Sequence, residues 1–113
     1  MPVSIRPLLA AAVLLLLLSN GAMAFKYAGS GVASCGEWLQ ERRDPYGGGG
    51  AGQQWVLGFL AGEADATEGK LDPIADTDAE GVWAWIDRYC EQHPTDRLIV
   101  AAELFAVTGG RGQ

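Results

Sequence analysis

Two cysteines, Cys35 and Cys90, stand in a chain of 113 residues that begins like an exported protein. Together these features restrict the fold to one that a single covalent staple can hold. Arg6 precedes an unbroken apolar run from Leu8 to Leu18, and Ser19-Asn20-Gly21 leads into the small-residue pattern Ala22-Met23-Ala24. This order predicts a signal peptide over residues 1–24, cleaved after Ala24, and a single mature domain over residues 25–113. An apolar run of about 11 residues falls short of the roughly 20 that span a bilayer as a helix. The expectation is a periplasmic or secreted protein with no membrane span.

An oxidising compartment favours a disulfide, and two cysteines allow one intramolecular pairing, Cys35 to Cys90. Such a bridge closes a loop of roughly 56 residues, worth about 4 kcal/mol in the chain-entropy model. That is a large share of the stability of so small a domain. Val32-Ala33-Ser34-Cys35 also matches the four-residue pattern at which bacterial lipoproteins are cut and lipidated. Lys26, Tyr27 and two glycines separate this cysteine from the apolar run, however, and lipidation would leave Cys90 as an odd thiol. The intramolecular bridge is the expectation.

Asp and Glu number 14 against 8 Lys and Arg, for a net charge of -6. This balance argues against a nucleic-acid partner. The acids crowd between Glu63 and Glu80, where Lys70 is the sole cation, a pattern typical of a solvated face or loop.

Ser34-Cys35-Gly36-Glu37 has the form of a capping box opening a helix to about Arg43, with Cys35, Trp38 and Leu39 on one side and Asp44-Pro45 as its stop. Tyr46 and the glycine-rich stretch Gly47 to Gly52 read as a flexible connection; no Gly-Lys-Ser/Thr ending makes the stretch a phosphate loop. Gln53 to about Ala66 carries Trp55, Val56, Phe59, Leu60 and Ala64 at helical spacing, with Gly58 and Gly62 placed to allow a close helix neighbour. Thr77-Asp78-Ala79-Glu80 reads as a second capping box. The helix it opens holds Val82, Trp83, Trp85, Ile86, Tyr89 and Cys90, a set so wide that either the helix is central or one tryptophan is exposed. Thr95 or Asp96 can cap a last apolar helix from Leu98 to Val107, ended by Gly109-Gly110. No strand alternation occurs, so the expected fold is an all-α domain of four helices with the first tied to the end of the third.

Asp76-Thr77-Asp78-Ala79-Glu80-Gly81, with Asp87 at the twelfth place, partly imitates a calcium-binding loop. It lacks the bidentate glutamate at that place and an entering helix, and a helix start with acids at its positive end is the preferred reading. His93 has no partners at metal spacing, and neither Ser30 nor Ser34 has an activating context. No cofactor, metal or catalytic residue is therefore assigned. Trp55, Phe59, Trp83 and Trp85 are the candidate protein-contact residues, since aromatic anchors dominate interface energetics.

Ser34-Cys35-Gly36-Glu37-Trp38-Leu39, Trp55-Val56-Leu57-Gly58-Phe59, the stretch Val82 to Cys90 and the final helix together resemble the HdeA/HdeB family of periplasmic acid-stress chaperones. The resemblance implies a disulfide-linked helical protein, a homodimer at neutral pH, which acid separates to expose an apolar surface that holds unfolding proteins soluble. Trp55 to Gly62, Tyr89, His93-Pro94 and Ala101-Ala102-Glu103-Leu104 also resemble periplasmic immunity proteins of type VI secretion, which bind and neutralise one effector. That family often places a cysteine where Trp55 stands and another near the C-terminus, and this chain has neither. Capping carboxylates favour their charged form in the fold, so their stabilisation is lost in acid. The expected function is non-enzymatic and works through protein contacts, as an acid-stress chaperone or, alternatively, as an immunity protein.

Overall fold

The computed structural model describes residues 27–44 and 50–111. The stretch expected to be a signal peptide, 1–24, and most of the glycine-rich connection lie outside these residues. A short 3-10 turn, Gly29–Val32, leads into four helices: α1 (Cys35–Arg43), α2 (Ala51–Ala66), α3 (Ala79–Gln92) and α4 (Leu98–Thr108). The described residues form no strand, and Cys35 is bonded to Cys90, so the all-α, single-disulfide expectation holds. α3 packs on α1 and on α4, and α4 in turn packs on α2; the 3-10 turn packs on both α2 and α4.

The start of α1 shows why this element forms where it does. Its free amide donors all find acceptors: Cys35 on the Asp96 carbonyl at 2.7 Å, Gly36 on the Pro94 carbonyl at 3.1 Å, and Glu37 on the Ser34 hydroxyl at 3.1 Å. The Glu37 carboxylate accepts in return from the Ser34 amide at 2.7 Å, completing the capping box. The Leu98 amide donates to the Ala33 carbonyl at 2.9 Å. The first turns of α1 and α4 thus share one hydrogen-bonded seam, with Ser34 and Arg97 paired as an isolated antiparallel bridge.

Three sequence expectations shift. α2 begins at Ala51, ahead of Gln53, because the Glu41 carboxylate of α1 accepts from the amides of Gly50 at 3.0 Å and Gly52 at 3.3 Å and so caps the helix from another element. α3 is capped by Asp78, which accepts from Gly81 at 2.9 Å; Thr77 therefore lies one residue before the cap, and Glu80, at the second helical position, does not form the expected box. Asp96 does not cap α4. Its carboxylate accepts the Tyr89 hydroxyl at 2.5 Å, and burial followed by this bond pushes that hydroxyl's pKa up to about 12.

One core cluster joins all four helices, with Trp38, Leu60, Ile86, Leu98, Phe105 and the disulfide fully buried. Trp85 sits edge-on to Phe105 at 5.4 Å and parallel to Tyr89 at 5.8 Å. Its indole N–H is buried without an acceptor among the described residues, so ring packing rather than hydrogen bonding fixes it. Gly58 and Gly62 are exposed with open space where a Cβ would stand, so among the described residues no helix packs against that face of α2.

Candidate functional site: an apolar groove between α2 and α4

The last helix, Leu98-Ile99-Val100-Ala101-Ala102-Glu103-Leu104-Phe105-Ala106-Val107-Thr108, is apolar almost all round. A helix flanked on only part of its circumference cannot bury such a set. Leu98, Ala101, Ala102 and Phe105 go inward, and Val100, Leu104 and Val107, at i, i+4 and i+7, remain on one outer stripe with 36%, 40% and 68% of their surface exposed.

Phe59 of α2 faces that stripe across a groove of about 450 Å³ lined by Phe59, Glu63, Val100, Glu103, Leu104, Ala106 and Val107. The floor is apolar. Each helix contributes one carboxylate to the lining, Glu63 from α2 and Glu103 from α4, and no cation is among these residues.

The segment before α1 braces one wall. Trp55 stacks on Phe59 at 5.4 Å with the rings 10° apart, and its indole N–H donates to the Ala28 carbonyl at 3.0 Å. Its ring lies so close over Gly31 that an added Cβ would collide with it, which explains why glycine stands there. Tyr27 donates its hydroxyl to Glu103 at 3.0 Å, and this bond is the main reason that the phenol's pKa is raised.

The candidate contact residues are therefore divided. Phe59 lines the groove, and Trp55 stands half-buried behind it. Trp83 is half-buried on another face, beneath the Arg42 guanidinium at 5.7 Å. Trp85 is a core residue, 5% exposed, and offers no contact surface in this fold. Val100, Leu104 and Val107 escaped the aromatic criterion; the signal for them was the excess apolar width of α4, which the sequence displays as plainly as that of α3.

Other chemistry-bearing residues serve the frame. Asp78 caps α3, and Asp87, the twelfth position of the calcium-like pattern, is engaged by Arg42 and Trp38. His93 ends α3, donating from Nδ1 to the Tyr89 carbonyl at 3.0 Å and stacking on the Tyr89 ring at 4.3 Å. Among the described residues no three His, Cys, Asp or Glu side chains converge to hold a metal ion, and no helix is long and apolar enough to cross a membrane. Neither a protein-family model, nor a curated protein, nor a solved structure matches the chain.

Proposed function

We propose that the protein is a non-enzymatic, periplasmic binder of other polypeptides that uses the α2/α4 groove as its contact surface, acting as an HdeA-like acid-stress chaperone. The observation that carries this reading is the stripe of Val100, Leu104 and Val107 opposite Phe59, three neighbouring aliphatic side chains left open to solvent on one helix beside the buried core. Contiguous apolar surface of this kind marks a site of protein contact.

Acid fits the same surface. Among the described residues Glu63 and Glu103 are the only charged side chains in the lining, so full protonation of carboxylates leaves that lining uncharged. The chain's net charge of -6 becomes positive under those conditions, which keeps client complexes apart in solution. The Cys35–Cys90 bond holds α1 to α3 while capping carboxylates lose their charge.

The test is protection of unrelated clients at about pH 2, where acid-expanded chains expose apolar surface and aggregate on neutralisation. Oxidised protein should keep several different clients soluble. Equal aggregation with and without it contradicts the reading. Tight binding of one effector at neutral pH without client protection instead supports an immunity role, for which a groove already formed in the folded domain is equally suited.

A further inference from the structure

We infer that the α2/α4 groove selects apolar polypeptide segments flanked by lysine or arginine, a specificity that rests on the groove being the working surface. Size sets the kind of occupant. A volume of 450 Å³ lies within the range of about 300–1,000 Å³ typical of clefts that take a few anchoring groups. Two or three aliphatic or aromatic side chains, spaced by a helical turn, match the spacing of Val100, Leu104 and Val107.

Charge sets the flanks. Glu63 and Glu103 come from different helices to a lining that holds no cation among the described residues. Tyr27 donates to one oxygen of Glu103, which steadies that carboxylate and leaves its other oxygen as an acceptor. An ammonium or guanidinium beside an apolar anchor gains a charge-assisted hydrogen bond at each wall, whereas an acidic flank meets like charge. The same argument disfavours a second copy of this chain. A two-fold self-contact would bring each carboxylate-bearing lining against its own image.

The experiment uses the oxidised mature protein at neutral pH and low salt with two labelled synthetic peptides. One carries leucines at helical spacing flanked by lysines; in the other the lysines are glutamates. Fluorescence anisotropy should show the lysine peptide binding about tenfold more tightly. Replacing both carboxylates, Glu63→Gln with Glu103→Gln, should reduce that preference to about twofold or less while apolar binding persists. Leu104→Glu, at a site exposed enough to leave the fold intact, should weaken the lysine peptide more than about tenfold with an unchanged circular dichroism spectrum and Tm.

Equal affinity for both peptides, or full affinity in the Leu104→Glu variant, overturns the inference. So does a sedimentation-detected dimer that Leu104→Glu dissociates, which would put a second copy in the groove. Because these readouts need neither acid nor a client, charge selection can fail while client protection stands. Protection can likewise fail while selection holds.

Discussion

Arg42 of α1 grips Asp87 of α3, with Nη2 at 3.0 Å from Oδ2 and Nε at 3.1 Å from Oδ1. The same Oδ1 accepts the indole N–H of Trp38 at 2.7 Å. Cys35, Trp38 and Arg42 follow one another along one face of α1, and Asp87 and Cys90 along one face of α3, so the disulfide and this polar clamp close the same seam. The two have different physical roles. The disulfide restricts the unfolded chain, and the clamp satisfies a donor on a ring that is 1% exposed.

Asp87→Ala should cost about 2 kcal/mol, mostly because the buried Trp38 N–H loses its acceptor. Asp87→Asn keeps an acceptor oxygen and loses the ion pair, which is partly exposed on both sides, and should cost about 1 kcal/mol or less. Urea unfolding of the two variants checks the order; equal losses would mean that the charge, not the indole bond, dominates.

Glu41 reaches from α1 to the start of α2 and receives the Gly50 and Gly52 amides. Glu41→Ala should destabilise by about 1 kcal/mol, as loss of a helix cap does, and should speed amide exchange in the first turn of α2 ahead of the rest. Uniform exchange changes along the chain would contradict a local capping role.

Glu37's pKa is lowered, chiefly by the backbone bond from Ser34 and then by the serine side chain. A depressed folded-state value means stability that is present above the unfolded carboxylate value of about 4.3 and is lost as pH falls through the folded value. Glu37→Gln should therefore lower Tm at neutral pH, with the difference from the parent shrinking as the solution is acidified through that window. A constant difference down to strong acid would show that Glu37 contributes nothing to acid sensitivity.

Removing the covalent link with paired Cys35→Ser and Cys90→Ser substitutions should cost about 2–5 kcal/mol and leave the domain at the edge of stability. Chemical unfolding with and without reductant makes the same comparison in the parent. A reduced protein that unfolds at the same denaturant concentration would remove the disulfide from the account of the fold.

Local patterns were legible where the chain solves a problem with its neighbours. Ser34 and Glu37 announced the start of α1, and Gly109 its counterpart at the end of α4, where its φ of 60° suits glycine. What could not be read depended on distant partners. Glu41 looked like one more surface acid until α2 began beneath it, and Asp96 looked like a cap although Tyr89 claims its carboxylate. Trp85 and Leu104 show the same limit for the site: both are large apolar residues at helical spacing, and only the packing of α3 and of α2 on α4 decides that the first is enclosed, against Phe105, and the second open.

The most direct measurement compares the parent with Leu104→Glu in suppressing aggregation of unrelated clients after exposure to about pH 2. Leu104 is 40% exposed on the groove, so the variant should fold with an unchanged Tm at neutral pH and lose most of its protection. Undiminished protection by a folded Leu104→Glu protein would show that the α2/α4 groove is not the working surface.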